Sequence, residues 1–231
     1  MPGAVDLSLI KSAASLCRAT YAYPGDTPMI WDHWDAGAGD GIVWGAKKIN
    51  DVWFAALRGS VTLPDWIHDA EALAVYCAAL HSHVHPGFNW DTDQVAAEIH
   101  ELVGNDPWVA TGHSLGGSRA DDVTAYGIVG GFPPIARVVF GEPRPGFADF
   151  CALVAQVPGA SFINMNGDGR DRVPAVPIKF PDEPYERPSP LMPLIVTPPP
   201  FDGVDFFRFH HMTLYDPAAR ALTALPEPIA G

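Results

Sequence analysis

The chain has 231 residues, 48% hydrophobic and 18% charged, which predicts a single folded domain with a sizeable core and excludes a disordered chain. A formal net charge of -13 and a pI of about 4.9 argue against nucleic acid and anionic membrane surfaces as partners, since phosphate-rich partners would be repelled. Cys17, Cys77 and Cys151 show neither metal-ligand spacing nor a disulfide framework, and are expected to be buried free thiols.

The N-terminal stretch "MPGAVDLSLIKSAASLCRATYAY" lacks a basic start and an unbroken apolar run, because Asp6, Lys11 and Arg18 interrupt it. No signal peptide is recognisable there, and no apolar run reaches the roughly 20 residues that span a bilayer. The expected location is therefore cytoplasmic or otherwise soluble. Leu9, Ile10, Ala13, Ala14, Leu16, Cys17 and Tyr21 recur at helical spacing from Leu7 to Tyr23, with Pro24-Gly25 as the stop. "GIVWGAKKI" and "DVWFAALRG" flank Asn50-Asp51 and read as a hairpin. "TLPDWIHDAEALAV" has helical character, and "DQVAAEIHELVG" is a clearer amphipathic helix closed by Gly104.

"PWVATG" is predicted to be a short strand delivering the chain to Ser114, and "SRADDVTAYGIVG" to continue as a helix. "IARVVFG" and "ASFINMN" are further β-rich runs. Strands alternating with helices predict a mainly parallel sheet covered on both faces. From about residue 174 to 200 proline recurs every few residues. That density forbids a regular helix or a central strand and predicts an extended surface excursion, one that could wall a site. No repeat or linker divides the chain, so 1–231 is expected to be one domain.

Gly112-His113-Ser114-Leu115-Gly116 fits G-x-S-x-G, in which a serine sits on a sharp strand-to-helix turn. Glycines are needed because side chains there would meet neighbouring backbone. The following helix start would direct backbone N–H groups and positive dipole at a developing oxyanion. Serine is a weak nucleophile without a positioned base, usually a histidine oriented by a carboxylate. Downstream of Ser114, Asp168 and Asp171 follow "SFINMN", and His210 and His211 follow "VDFFRF". His113 is set aside as a buried turn residue, because neighbours on a tight elbow point apart. "HSHVH" carries no defined ligand set, so neither metal nor organic cofactor is expected.

Four blocks together resemble the class 3 lipase family, the fungal triacylglycerol lipase type within the α/β-hydrolase fold. "LRGSVTLPDWIHDA" looks like the R-G-[ST] segment with its Trp and Asp, "VHPGF" like V-H-x-G-F, "TGHSLGG" like the elbow, and "VVFGEPRPG" like F-G-x-P-R-x-G. The resemblance implies an α/β-hydrolase fold with a mainly parallel central sheet flanked by helices. It implies Ser114 as nucleophile, Ser60 as oxyanion residue, and Leu115 as a second oxyanion donor through its N–H. "DRVPAVP" resembles the family's D-x-V-P segment and selects Asp171 over Asp168, leaving Asp168 as a turn residue. "HHMTLY" resembles H-x-[MIL]-x-x-Y, which makes His210 the base with Met212 and Tyr215 in the next helix; the fungal H-L-x-Y ending would choose His211 instead. His210 is the preferred register. Residues 60 to about 80 correspond in position to the family's lid, where Trp66 and Ile67 could cover an acyl pocket or pack as an ordinary helix.

"SRADD" departs from the family, which has small apolar residues after the elbow. A partly exposed helix with Arg119 paired to Asp121 or Asp122 is the plain account, and a polar rim to a non-lipid acyl pocket is the sharper one. The implied function is hydrolysis of a small-molecule ester or lipid through an acyl-enzyme. Thioesters, amides and polyesters suit the same machinery. A non-catalytic interaction protein on a lipase-like scaffold is the contrasting reading, opposed by the joint presence of nucleophile, acid, base and oxyanion residue.

Overall fold

A computed structural model describes residues 5–22, 31–37, 41–60, 73–167, 169–177, 184–198 and 208–229. Helix α1 (Leu7–Ala19) is capped by Asp6, whose carboxylate accepts the Ser8 N–H at 2.6 Å. The helical pattern continues to Tyr23 in sequence, but the helix ends four residues earlier. Thr20 donates its hydroxyl to the Cys17 carbonyl at 2.8 Å, and the chain turns away there. Strand β1 (His33–Asp35) precedes the expected hairpin of β2 (Trp44–Ile49) and β3 (Val52–Leu57). Asn50 and Asp51 have φ of 50° and 65°, the left-handed pair that a two-residue hairpin loop requires.

The helix expected over 62–75 lies mainly outside the described residues. Its last member, Val75, begins strand β4 (Val75–Cys77), which pairs with β5 (Ser82–Val84) in a separate two-stranded sheet. Then follow α2 (Pro86–Asn89), α3 (Thr92–Val103), β6 (Trp108–His113), α4 (Leu115–Gly130), β7 (Ala136–Phe140) and α5 (Ala148–Val154). The chain continues through β8 (Gly159–Asn166), β9 (Gly169–Arg170), β10 (Leu191–Ile195) and α6 (Met212–Arg220).

The main sheet runs β1-β2-β3-β6-β7-β8-β10, with β9 folded back on β8. β1, β2 and β3 are antiparallel; β3, β6, β7, β8 and β10 are parallel. Alternate residues of the parallel strands serve two cores, which is why these runs are apolar throughout. Phe54, Val109, Val138, Phe140 and Phe162 pack with α1 and α6, against Ile10, Leu16, Met212 and Tyr215. Ala55, Leu57, Ala110 and Val139 face α3 and α4, against Val95, Ile99, Ala120 and Val123.

One expectation needs correction. The proline-rich segment is not only a surface excursion: Leu191–Ile195 forms β10, paired in parallel with residues 161–165 of β8. It is the last strand of the sheet among the described residues, an edge position at which Pro193 can lack an N–H. Cys17 and Cys151 are buried, Cys77 is half-buried, and all three are free thiols.

Candidate active site

Strand β6 ends at His113 and α4 begins at Leu115, so one residue, Ser114, makes the whole turn, with φ 60° and ψ -134°. A non-glycine residue rarely occupies positive φ, and here the surroundings hold it there. The Ser114 N–H donates to the Phe140 carbonyl at 3.0 Å, and the Gly117 N–H donates to the Ser114 carbonyl at 2.8 Å. A Cβ on Gly112 would run into the Gly116 backbone, and one on Gly116 into the Leu57 carbonyl. Bare glycine faces therefore let the helix start directly behind the strand. Ser114 is buried, and its Oγ makes no hydrogen bond among the described residues.

Asp171 follows the β8–β9 hairpin, and His210 lies in the turn before α6. They meet at 2.7 Å between Oδ2 and Nδ1, both fully buried. The same Oδ2 accepts the Tyr215 hydroxyl at 2.6 Å, and Oδ1 accepts the Val173 N–H at 2.9 Å. With the carboxylate accepting at Nδ1, the neutral imidazole carries its proton there and turns the Nε2 lone pair outward. A Cβ on Gly141 would be 2.8 Å from Asp171 Oδ2 and 3.0 Å from His210 Cε1. Gly141 follows Phe140, whose carbonyl accepts the Ser114 N–H, so the acid–histidine pair lies against the residue just beyond the end of β7. Tyr215 is buried against this carboxylate, and its phenol is pushed well above the usual range by burial first and by the Asp171 charge second.

His113 is more than a turn residue. Its Nε2 lies 2.6 Å from the His210 carbonyl, which can only accept, so Nε2 carries the proton. Nδ1 then accepts the Tyr21 hydroxyl at 2.8 Å, and Tyr21 in turn accepts the Gly59 N–H at 3.1 Å. Burial, followed by the neighbouring His210, keeps the imidazole pKa well below the ordinary value, consistent with this neutral tautomer. A chain of hydrogen bonds thus joins the Arg58-Gly59-Ser60 loop to the backbone of His210. A Cβ on Gly59 would lie 2.9 Å from Ser114 Cβ, so that loop flanks the serine directly. Ser60 and Leu115 line one cavity of about 190 Å³ with Gly41, Val43, Arg58, Gly59 and Arg119.

His211 is exposed and stands at the start of α6 without capping it, so His210 is the member of the pair bonded to Asp171. Asp168, Trp66 and Ile67 lie outside the described residues. His83 donates its Nδ1–H to the Asp149 carboxylate at 2.7 Å near the surface, and no group of three or more potential metal ligands occurs among the described residues.

The reading of α4 as partly exposed is overturned, because Ser118, Asp121, Asp122 and Thr124 are buried. Its expected ion pairs are overturned too. Asp121 pairs with Arg137 of β7 at 2.7 Å, sharing that cation with Glu142 at 2.9 Å, and Asp122 accepts from Asn89 Nδ2 at 3.2 Å. The reason is geometric: the helix face carrying these carboxylates is turned inward, toward groups distant in sequence. Tyr21 and Arg137 had no signal in the sequence, since their partners lie far along the chain; the hydroxyl of Tyr215 was signalled by its fixed spacing from His210.

The family model for class 3 lipases matches residues 54–180, more than half of the chain. A Fusarium solani protein named secreted mono- and diacylglycerol lipase 1 is 34% identical over 130 residues, which cover 53% of this chain and 38% of that protein's length. Among solved structures, a fungal lipase described for an unusual buried polar cluster superposes with a TM-score of 0.69 at 18% identity, covering 96% of this chain and 99% of its own. Rhizomucor miehei triacylglyceride lipase superposes with a TM-score of 0.65 at 17% identity, covering 81% of this chain and 80% of its own. These likenesses establish the α/β-hydrolase fold. The elbow, the R-G-S loop and the D-R-V-P segment all fall within the matched residues, and the chain belongs to the class 3 lipase family.

Proposed function

We propose that the protein hydrolyses carboxylic esters through an acyl-enzyme formed on Ser114. The observation that carries this reading is the buried Asp171–His210 hydrogen bond beside a serine held at positive φ with its hydroxyl unbonded. His210 Nε2 takes the Ser114 proton as Oγ attacks the ester carbonyl, and Asp171 stabilises the imidazolium. The tetrahedral intermediate collapses, His210 protonates the departing alkoxide, and the alcohol leaves. Water, deprotonated by the same imidazole, then attacks the acyl carbonyl and releases the acid, returning the proton to Ser114. The Leu115 N–H and the Ser60 segment supply the oxyanion donors. Removing the Ser60 hydroxyl is expected to lower kcat by about 10²-fold while leaving the backbone donor.

The relatives' names point to acylglycerols as the ester class, and the buried acid–histidine pair suits any ester that reaches Ser114. A panel of p-nitrophenyl esters from acetate to palmitate, run on the native protein, Ser114→Ala and Asp171→Asn, tests the assignment. The native protein should turn over at least one ester and accept a fluorophosphonate label on Ser114. Asp171→Asn should lose about 10⁴-fold in kcat, because His210 would then be held in the wrong tautomer. Turnover retained in Ser114→Ala would refute the assignment.

A further inference from the structure

We propose that this site selects esters of short acids that carry a second, ionised carboxylate, with the Arg119 guanidinium as the group that recognises it. The inference rests on the assignment of Ser114 as nucleophile.

Two guanidinium-bearing residues reach the cavity that Ser60 and Leu115 line, from two different elements: Arg58 at the end of β3 and Arg119 in the second turn of α4. Arg119 stands four residues after Leu115, on the same helix face, and both residues line the cavity. Among the described residues, neither arginine has a carboxylate within 4.0 Å, whereas Arg18, Arg137, Lys47 and Lys48 all do. The Nε–H of Arg119 is buried and makes no hydrogen bond among the described residues. Burial lowers the Arg119 pKa, and Asp122 and Asp91 offset this from beyond ion-pairing range. Asp122 is itself pushed well above the carboxylate range by burial, so it is a weak counter-charge.

A half-buried guanidinium with unmet donors is costly unless something ionised accepts from it. Its planar fork matches a carboxylate in two parallel hydrogen bonds. A cavity of about 190 Å³ has room for a short acid arm that ends in such a carboxylate. Of its lining residues only Val43 and Leu115 present aliphatic side chains. The chain's net charge of -13 repels anions at long range, so recognition has to come from these local donors.

Monoethyl glutarate and its neutral isostere ethyl 5-methylhexanoate, compared by pH-stat at neutral pH, separate the possibilities. The native protein should favour the anionic ester in kcat/KM by about tenfold or more, the contribution of one charge-assisted hydrogen bond, chiefly through KM. Arg119→Gln should reduce that ratio about tenfold, Arg119→Lys should restore part of it, and glutarate should inhibit the native protein competitively and Arg119→Gln much less. Equal kcat/KM for the two esters, or a ratio unchanged in Arg119→Gln, overturns the proposal while leaving ester hydrolysis standing. Failure to cleave any ester overturns the hydrolase assignment and this inference with it. Should Arg119→Gln not fold, the native preference decides alone: it must shrink in about 0.5 M NaCl, where charge recognition is screened.

Discussion

Burial holds His113 neutral, and neutrality is what its partners require: a proton on Nε2 for the His210 carbonyl and a lone pair on Nδ1 for the Tyr21 hydroxyl. The consequence for stability has a definite sign. An imidazole whose folded pKa lies below its unfolded value of about 6.5 binds its proton more readily in the unfolded chain, so acid favours unfolding. The stability it contributes is complete above about pH 6.5 and falls below that by up to ~1.4 kcal/mol per pH unit until the folded group also titrates. His113→Gln retains a donor toward the His210 carbonyl and cannot titrate. Urea denaturation between about pH 6.5 and 5 should therefore show a shallower loss of stability in His113→Gln than in the native protein. Parallel slopes would show that His113 is not held neutral.

Helix α4 does two jobs at once, and its composition reflects both. Its first turn must approach the β3 backbone closely, which the bare face of Gly116 allows, while that of Gly117 leaves room for Glu142. Its inner face carries Asp121 against Arg137, and Arg137 Nη2 also donates to Ser161 and Ser189 at 3.0 and 2.6 Å. Two buried carboxylates, Asp121 and Glu142, share one cation. Burial pushes the Asp121 carboxyl well above its usual range, and Arg137 opposes that shift. Arg137→Met would leave the acids facing each other without their donor. It should destabilise the fold by about 3–5 kcal/mol, and converting the acids as well, in Arg137→Met with Asp121→Leu and Glu142→Gln, should recover much of the loss. Chemical denaturation of both proteins measures it. A loss below about 1 kcal/mol in the single variant would place the cluster among weakly coupled contacts.

At the scale of the molecule, the charge of -13 is spread over a surface with few ion pairs among the described residues. Among those near solvent, Lys47–Asp32 and Lys48–Asp106 join loop and strand ends around β2. Self-repulsion outweighs such pairs, so salt should stabilise the fold. Raising NaCl from about 10 mM to about 0.5 M shortens the Debye length from roughly 30 Å to a few ångströms and should raise Tm by a few degrees; a fall in Tm would mean that surface pairs dominate. No helix among the described residues is long and apolar enough to cross a membrane.

Local rules were enough to read the strands from Trp44 to Leu57, the strand–serine–helix turn at Ser114, the amphipathic helix closed by Gly104, and β7 and β8, because period, hairpin residues and glycines act within a few positions. The order of serine, aspartate and histidine was legible for the same reason, each lying at the end of a β-rich run. The sequence by itself prefers His210 to His211 only through the register of a resemblance, and the tertiary structure turns His210 toward Asp171 while His211 faces solvent. It also made the proline-rich stretch look irregular, yet an open sheet edge accepts Leu191–Ile195 as a strand. The polar "SRADD" run suggests by itself a partly exposed helix with local ion pairs, or a polar rim to an acyl pocket. Long-range packing buries its two aspartates instead, since Arg137 and Asn89 come from other elements to meet Asp121 and Asp122. What pairs a buried charge is distant in sequence, and only the assembled fold brings it close.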